Sequence, residues 1–332
     1  NVGNKVNPVF KEHTDDEKRA IYRYLLSRKP KKFPPSMKNR LIGLYNPMAD
    51  RSNRFPDGLR WCINVYIGCE HNCGYCYVNG YNKEGVGISP HTRNNFEKNP
   101  KKDIQELISL GVPPAPLHMS NSTDLFQQRL EMQNQHALLS LQQIAKHREQ
   151  FTSIVVLTKN PRILCSEPYI SLIYSKEMRP FTVQVTCAYW KDDVRLFYES
   201  NAPSIHDRLE AIEILVENGI DVELRIDPLF PSSRIKEEIR LHKPLSDYSL
   251  PEAQSREDII NLVHFAKKSG VKSVIAKPLK APVSKKAQRC KDWFSPIFKD
   301  AHKLKKRSVR GGNWRIPDNY QNALVSTLES LC

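Results

Sequence analysis

Cys69-Glu70-His71-Asn72-Cys73-Gly74-Tyr75-Cys76 is the most informative segment of this chain, because it places three cysteines at a CxxxCxxC spacing. The segment follows an apolar, strand-like run at residues 61–68. Three thiolates on one tight loop can ligate three irons of a [4Fe–4S] cluster. The fourth iron then has no cysteine nearby and stays open to a small molecule. Cys69, Cys73 and Cys76 are therefore the predicted metal ligands.

Two other interpretations of the same residues stay open. The three cysteines and His71 could form a tetrahedral zinc site, although one tight loop would then have to supply all four ligands. The cysteines could also be structural. Eight cysteines in 332 residues are too sparse for a disulfide scaffold, and no secretory segment is visible.

The length and the composition predict a soluble globular protein. A chain of 332 residues can bury one large core with appendages, or two modest domains. Its apolar content of 39% is ordinary, and no run approaches the ~18 apolar residues of a membrane span. We therefore expect a cytoplasmic protein that does not enter a membrane.

The charge of the chain favours a polyanionic partner, most simply nucleic acid. Lysine and arginine number 51 against 36 acidic residues, which gives a net charge of +15. Residues 280–315 contain twelve basic residues and only two acidic ones. Basic groups neutralise phosphates and aromatic faces can stack on bases, whereas a solvated charged tail is the alternative. The aromatic residues interleaved in this segment are Trp293, Phe294, Phe298 and Trp314.

Three regions follow from the composition. Residues 1–60 are predicted to be an extension with one short helix, which starts at the capping box of 14–17 and runs to about Leu26. A basic, proline-broken linker follows at 28–35. Residues 61–280 form the predicted core, and residues 281–332 form a basic C-terminal extension.

The core alternates strand-like and helical segments, which indicates an α/β fold with a parallel sheet. The helices that begin at the N-caps Ser204 and Ser255 and stop at Gly219 and Gly270 are the clearest. Six strands suit an open, TIM-like (β/α)6 partial barrel, with its site at the carboxyl ends of the strands. The strand-like runs are 63–67, 116–120, 153–157, 182–187, 222–226 and 273–277.

Further motifs narrow the assignment. The chain carries Gly-Tyr-Cys-Tyr at 74–77, Ser-Asn-Ser-Thr-Asp at 120–124, Leu-Thr-Lys-Asn at 157–160 and Arg-Ile-Asp-Pro-Leu-Phe-Pro at 225–231. With the cysteine loop, these motifs resemble the radical S-adenosylmethionine (SAM) superfamily, and within it the branch of spore photoproduct lyase and the DNA repair photolyase-like proteins. The resemblance covers roughly residues 60–280.

That resemblance implies a function. The open iron would bind SAM, and one electron from a flavodoxin- or ferredoxin-type donor would release a 5′-deoxyadenosyl radical that abstracts hydrogen from a substrate. The resemblance and the basic segment together favour nucleic acid as the substrate. A peptide, a protein or a small metabolite is the first alternative. A zinc-containing nucleic-acid-binding protein without catalysis and a family member that keeps the cluster only for structure are the others.

The resemblance also implies roles for four side chains around SAM. Ser122 would lie near the cofactor, and Lys159 would reach its carboxylate or its ribose. Thr186 would supply a hydroxyl from the fourth strand, and Arg225 would meet the cofactor or the substrate. The alternatives are a surface lysine, hydroxyls that bond their own backbone and a structural salt bridge of Arg225.

Tyr75 and Tyr77 are the predicted catalytic residues, because they resemble tyrosines that can relay a hydrogen atom. Packing as a dry shield of the cluster is the alternative that we favour. The chain departs from the lyase at Asn121, where the lyase has a hydrogen-donor cysteine, and this departure weakens the case for thymine-dimer reversal. Cys187 is not expected to replace that cysteine, because strand alternation turns it away from the interior that Thr186 faces.

Overall fold

The structure is a computed structural model of this chain. It describes residues 14, 16, 19, 42–45, 60–76, 78, 90–93, 96, 99–120, 122–230, 244–282, 292–297, 309–310, 313–315, 326 and 328–330. The expectations for Tyr77 and Asn121, the proline-broken linker and most of both extensions lie outside the described residues.

Twelve strands and seven α-helices have both of their ends within these ranges. The strands are β1 (Ile42–Tyr45), β2 (Arg60–Ile63), β3 (Tyr66–Ile67), β4 (His91–Thr92), β5 (Ala115–Met119), β6 (Phe151–Thr158), β7 (Phe181–Thr186), β8 (Asp221–Leu229), β9 (Ser273–Pro278), β10 (Lys280–Pro282), β11 (Val309–Arg310) and β12 (Asn313–Arg315). The helices are α1 (Asn99–Ser109), α2 (Gln128–Asn134), α3 (His136–Lys146), α4 (Tyr169–Tyr174), α5 (Asp192–Tyr198), α6 (Ile205–Glu217) and α7 (Arg256–Lys268). Short 3-10 helices lie at Arg148–Gln150, Pro161–Cys165, Lys176–Met178 and Leu245–Tyr248.

Seven strands form the main sheet in the order β1-β2-β5-β6-β7-β8-β9. The antiparallel β1 covers one edge, and the six strands from β2 to β9 pair in parallel. In the part of the chain that the structure describes, β1 and β9 do not pair, so the sheet stays open. Helices connect the consecutive parallel strands from β5 onward, which confirms the predicted (β/α)6 partial barrel.

Helices α6 and α7 begin and end where the sequence predicts. The side chain of Ser204 accepts a hydrogen bond from the Asp207 backbone, which caps α6. Ser255 and Asp258 form a complete capping box at the start of α7. Gly219 and Gly270 follow the helices with φ of 71° and 73°, a region that glycine adopts without strain.

The first parallel strand differs from its predicted position at 63–67. The sheet strand β2 ends at Ile63, and Tyr66–Ile67 instead pairs with His91–Thr92 outside the main sheet. Asn64 accounts for the break, because its carbonyl accepts from the Arg93 side chain at 2.9 Å and its amide oxygen accepts from the Ser122 backbone at 2.8 Å. The apolar run is thus divided between the main sheet, which takes β2, and a two-stranded sheet, which takes β3.

The core lies on both sides of the main sheet. Val183 and Val185 are fully buried on one face of β7, and Gln184 and Thr186 are buried on the other. This pattern is typical of parallel strands that are covered on both faces. The face of Gln184 and Thr186 carries polar side chains, so the interior of the partial barrel is where a polar ligand would be held.

The described parts of the C-terminal extension include regular structure, and some of its apolar side chains join the core. β10, β12 and β11 form a small antiparallel sheet, and residues 292–297 are helical, with Phe294 and Ile297 buried. Among the described residues, no helix is both long and apolar enough to cross a membrane.

Candidate metal and cofactor site

One cavity opens at the carboxyl ends of the parallel strands, where the sequence places the site. Its empty volume is about 1250 Å³ with the open mouth included. The structure brings together in its lining every predicted site residue that it describes: Cys69, Cys73, Tyr75, Cys76, Ser122, Lys159, Thr186 and Arg225.

The cysteine loop is held by backbone hydrogen bonds to two distant segments. The Glu70 N–H donates to Gln127 Oε1 at 2.7 Å. The Gly74 N–H donates to the carbonyl of Tyr198 at 2.8 Å, and the His71 carbonyl accepts from the Asn201 N–H at 3.3 Å. These bonds fix the loop independently of any ligand, so the positions of the thiols are set by the protein.

The three thiols of the loop are mostly buried. Cys69 and Cys73 are buried, Cys76 is half-buried, and none of the three is in a disulfide. Burial, with the negative charge of Asp124, raises the pKa of Cys69 to about 12. Burial also raises the pKa of Cys73 well above its usual value. A bound metal reverses this, because a coordinating thiol is deprotonated.

The ligand atoms of the cysteine loop do not converge on one point, as a single zinc ion would require. Ligands on one tetrahedral zinc lie about 3.8 Å apart, as follows from a Zn–S bond of ~2.3 Å. Among the described residues, Cys69, Cys73, Cys76 and His71 do not supply three ligand atoms within 4.8 Å of one another. His71 is instead buried with Nδ1 3.5 Å from Asp124 Oδ2. A [4Fe–4S] cluster does not need this convergence, because each thiolate binds a separate iron, and the three thiols of the loop are donors of the right kind.

Asp124 organises the centre of the site, a role that sequence reasoning did not assign. Its Oδ2 accepts from the Lys159 N–H at 2.7 Å, and its Oδ1 accepts from the Thr158 hydroxyl at 2.8 Å. It also caps its own turn by accepting from the Phe126 N–H at 2.9 Å. The carboxylate therefore ties the loop after β5 to the end of β6 and faces His71. A carboxylate directly after a parallel strand was the only signal in the sequence.

A second buried carboxylate, Glu199, lies behind the loop. It accepts hydrogen bonds from the Tyr75 hydroxyl and the Arg208 guanidinium, and Lys159 Nζ lies 3.7 Å from its Oε1. Glu199 and Arg208 are both fully buried. Burial opposes the charge of Glu199, but Arg208 and Lys159 outweigh it and lower its pKa. The sequence analysis identified neither residue, although Arg208 is unusual as an arginine on the buried face of α6.

Lys159 is a cavity residue and not a surface lysine. Its side chain is 17% exposed, and its Nζ lies 5.6 Å from the centre of the Tyr75 ring. Burial lowers its pKa, while the charges of Glu199 and Cys73 raise it, and the net shift is upward. The ammonium therefore stays charged and can bind a carboxylate in the cavity.

Tyr75 is buried and its hydroxyl is engaged by Glu199. Burial and the charge of Glu199 raise its pKa well above the usual value, so the phenol stays protonated. The ring meets Phe230 edge to face, with centroids 6.3 Å apart. These contacts agree with the shielding role, and a relay of hydrogen atoms by Tyr75 remains a prediction.

The alternation of β7 is as predicted. Thr186 lines the cavity, while Cys187 is fully buried outside its lining, with Sγ 3.6 Å from the Tyr189 carbonyl. Ser122 also lines the cavity, and its N–H is fixed by Asn64. The roles of Ser122 and Thr186 toward SAM remain predictions.

Arg225 forms the structural salt bridge that was one of its two predicted roles, and its contact with the cofactor or the substrate remains a prediction. Its Nη2 lies 2.6 Å from Asp227 Oδ2, and its Nη1 donates to Gln184 Oε1 at 2.8 Å. The structural salt bridge is therefore present, on a side chain that also lines the cavity.

Two aromatic residues of the basic segment pack on the protein itself. Phe294 is fully buried, and the Trp293 ring stacks on Phe197 with centroids 5.1 Å apart. Phe294 thus offers no face to a nucleic acid base, contrary to the expectation that this ring stacks on bases. The side chains of Phe298 and Trp314 lie outside the described residues.

The fold of this chain is similar to that of solved structures of spore photoproduct lyase. A spore photoproduct lyase mutant matches with a TM-score of 0.56 and 13% identity, over 92% of this chain and 76% of that chain. Spore photoproduct lyase complexed with dinucleoside spore photoproduct matches with a TM-score of 0.55 and 12% identity, over 96% of this chain and 82% of that chain. A mutant with bound AdoMet and dinucleoside spore photoproduct matches with a TM-score of 0.56 and 12% identity, over 82% and 72%.

Comparison of sequences matches a smaller part of the chain than comparison of structures does. No family model matches the chain. An uncharacterized protein of Methanocaldococcus jannaschii is 24% identical over 180 residues, which is 52% of this chain and 62% of the relative. The match therefore spans less than two thirds of that relative.

The fold is an open partial barrel of parallel strands, as the sequence predicts. The chain shares this fold with spore photoproduct lyase.

Proposed function

We propose that this chain is a radical SAM enzyme that acts on nucleic acid, in repair or modification. The observation that carries the proposal is the convergence of Lys159, Thr186 and the three thiols of the loop, none of them in a disulfide, in one cavity at the strand ends. The shared fold with spore photoproduct lyase supports it. So does the complex of that enzyme with dinucleoside spore photoproduct. Free thiols in a metal site suit a reducing compartment, which favours the cytoplasm.

Each part of the cavity has a task in this proposal. Cys69, Cys73 and Cys76 hold the [4Fe–4S] cluster. When bound, the cluster supplies the electron that splits SAM into methionine and a 5′-deoxyadenosyl radical, which takes a hydrogen atom from the substrate. Lys159 binds the carboxylate of SAM, and Thr186 offers a hydroxyl to its polar groups.

The chain itself contributes positioning and a dry surface. Glu199 holds the Lys159 ammonium and the Tyr75 hydroxyl in place from behind. Val78, Leu157 and Leu279 line the same cavity and help to exclude water from the reacting atoms. An external donor of flavodoxin or ferredoxin type provides the electron.

Anaerobic reconstitution tests the proposal. The purified chain should bind iron and sulfide, turn brown, and release 5′-deoxyadenosine when given dithionite and SAM. Cys73→Ala should abolish both results, and Cys165→Ala, a cysteine away from the loop, should preserve them. A colourless protein that binds zinc through the loop would overturn the proposal.

The substrate class needs a separate arm. Addition of irradiated DNA should increase the yield of 5′-deoxyadenosine or yield a modified nucleotide by mass spectrometry. If the rate of SAM cleavage is unchanged by DNA and increases with a peptide or a metabolite, the substrate belongs to one of the alternative classes. A cluster with no SAM cleavage would identify a structural cluster.

A further inference from the structure

Asp124 is a carboxylate that lies beside the first cysteine of the loop. Asp124 and Cys69 both line the cavity, and both are buried. We propose that Asp124 lowers the reduction potential of the cluster that the cysteine loop holds. This inference deepens the proposed function, on which it rests, because it assigns control of the electron transfer to a residue of this chain.

The Gln127 side chain ties Asp124 to the chain on both sides of Cys69. Its amide nitrogen donates to the carbonyl of Asp124 at 2.8 Å and to the carbonyl of Gly68 at 3.3 Å. Its amide oxygen accepts from the Glu70 N–H at 2.7 Å. Gln127 is fully buried, so these bonds fix the turn of Asp124 against the first cysteine.

This turn acts on the Cys69 sulfur in two opposite ways. Burial and the charge of the Asp124 carboxylate raise the pKa of Cys69 to about 12, whereas the backbone N–H groups of Asp124 and His71, which donate to the sulfur, lower it. A fixed charge that opposes the loss of a proton from a thiol also opposes the gain of an electron by a metal group on that thiol. Both changes make the site more negative.

The carboxylate of Asp124 is held by neutral donors. Its Oδ1 accepts from the Thr158 hydroxyl and the Phe126 N–H, and its Oδ2 accepts from the Lys159 N–H. His71 Nδ1 lies 3.5 Å from Oδ2. Among the residues that the structure describes, no lysine or arginine side chain forms an ion pair with Asp124. The carboxylate therefore keeps its charge toward the loop.

The second buried carboxylate near the loop differs in this respect. Glu199 is paired with Arg208, and Lys159 Nζ lies 3.7 Å from its Oε1. Burial raises the pKa of Cys73 well above its usual value, while the charges of Lys159 and Glu199 act on it in opposite directions. The charge of Glu199 is thus offset at the loop, and Asp124 is the carboxylate whose removal changes the charge there most.

The sign of the effect follows from the charge that reduction adds. One electron from the flavodoxin- or ferredoxin-type donor makes the cluster more negative by one charge, and a carboxylate nearby disfavours this. Asp124 is 8% exposed, so salt and water screen its charge little. The lower potential favours passing the electron on to SAM, and it requires a stronger reductant as the donor.

Redox titration of the reconstituted protein tests the inference without SAM or nucleic acid. Electron paramagnetic resonance gives the ratio of reduced to oxidised cluster at each applied potential. The measurement is made at about pH 8.5, where an imidazole with its ordinary pKa of about 6.5 is neutral. Asp124→Asn removes the charge and nearly keeps the shape. We expect the ratio at a fixed applied potential to increase at least tenfold, which corresponds to about 59 mV for one electron.

Thr158→Val is the matched control. It removes the hydroxyl that donates to Asp124 at 2.8 Å but leaves the carboxylate in place. A structural effect of loosening this turn should appear in both variants, whereas an effect of charge appears only in Asp124→Asn. We expect the midpoint potential of Thr158→Val to stay at or below that of the parent protein, because the carboxylate loses a neutralising donor.

Asp124→Glu keeps the charge and changes only its reach. Its ratio of reduced to oxidised cluster should stay within about threefold of the parent value. This variant decides the question if Asp124→Asn holds no cluster, because a raised midpoint in Asp124→Glu would show that position and not charge matters.

Three results would overturn the role of Asp124. They are an unchanged or lower midpoint in Asp124→Asn, an equal rise in Thr158→Val, and a raised midpoint in Asp124→Glu. If the midpoints shift as expected but SAM is never cleaved, the proposed function fails and the effect of Asp124 on the potential stands. If 5′-deoxyadenosine forms and the midpoints of parent and Asp124→Asn are equal, only this inference fails.

Discussion

Trp293 lies directly over Gly74, between the second and third cysteines of the loop. A Cβ built on Gly74 would lie 2.1 Å from Cζ3 and 2.6 Å from Cη2 of the indole. No side chain fits there unless the indole moves. The C-terminal extension thus covers the cysteine loop, and the glycine is required by this close approach.

The first prediction concerns that contact. Gly74→Ala should lower the free energy of unfolding by about 1–3 kcal/mol through overpacking, and it should increase the rate at which oxygen bleaches the reconstituted cluster. Thermal unfolding and the visible absorbance after exposure to air measure the two effects.

The double variant Gly74→Ala/Trp293→Ala provides the control. With the indole removed, the alanine methyl group has room, so the two substitutions should cost less together than the sum of their separate costs. Additive costs would show that Gly74 and Trp293 do not touch.

The second prediction concerns the buried carboxylate. Glu199→Gln leaves the guanidinium of Arg208 buried without its counter-charge, so we expect a loss of about 3 kcal/mol or more. The exposed pair of Arg162 and Glu210, 2.9 Å apart, gives the comparison. Glu210→Gln should change stability by less than about 1 kcal/mol. Urea unfolding of the three proteins measures both effects, and similar losses in both variants would contradict the network around Glu199.

The third prediction is the pH dependence of that loss. The folded pKa of Glu199 is lowered from its usual 4.5, because Arg208 and Lys159 outweigh the effect of burial. A depressed pKa contributes stability above the unfolded value, and this contribution disappears as the pH falls through the folded value. The difference in stability between the parent and Glu199→Gln should therefore be constant above about pH 4.5 and shrink below it. A difference that grows in acid would contradict this sign.

The fourth prediction concerns Lys159. Lys159→Met removes the ammonium from the cavity but keeps its apolar stem, so the apparent Kd for SAM should rise at least tenfold. Glu199 retains its ion pair with Arg208 in this variant, so the thermal midpoint should fall by only a few degrees. Equilibrium dialysis with labelled SAM measures the affinity. Lys146→Met, at the end of α3, is the control, and unchanged affinity in Lys159→Met would remove the lysine from the SAM site.

The fifth prediction distinguishes two neighbouring residues, Thr186 at the end of β7 and Cys187 directly after it. Thr186→Val keeps the shape of the side chain but removes a hydroxyl from the cavity, so the KM for SAM should rise. Cys187→Ala removes a buried sulfur outside the cavity, so it should lower stability by about 1 kcal/mol and leave the KM unchanged. Kinetics of 5′-deoxyadenosine release, paired with thermal unfolding, distinguish the two. The reverse pattern would mean that β7 is shifted by one residue.

The elements that could be predicted from the sequence are those whose defining residues lie close together along the chain. Helices α6 and α7 have a capping residue at one end and a glycine at the other, all within about fifteen residues. The cysteine loop is an equally local pattern. β2 was misplaced because its apolar run extends beyond the sheet, and Asn64, which ends the strand, is held by Arg93 and Ser122 far along the chain.

The supporting residues of the site could not be predicted in the same way. Tyr75 and Glu199 are 124 residues apart, and Asp124 and the Lys159 N–H that it binds are 35 residues apart. Neither pairing leaves a periodic pattern, since each depends on how the strand ends meet in the barrel. The packing of Trp293 and Phe294 on the protein was also not predicted, because both residues lie in a basic segment without an apolar pattern.

The anchoring of the cysteine loop has a consequence for transplanting it. Glu70, His71 and Gly74 are each bonded through the backbone to residues near 127 or near 200. An excised peptide of residues 69–76 would have none of these braces and would have to order itself around the metal. Such a peptide should therefore bind iron and sulfide in a less uniform arrangement than the intact barrel does. A designed protein that carries these eight residues would also need the segments near 127 and 200.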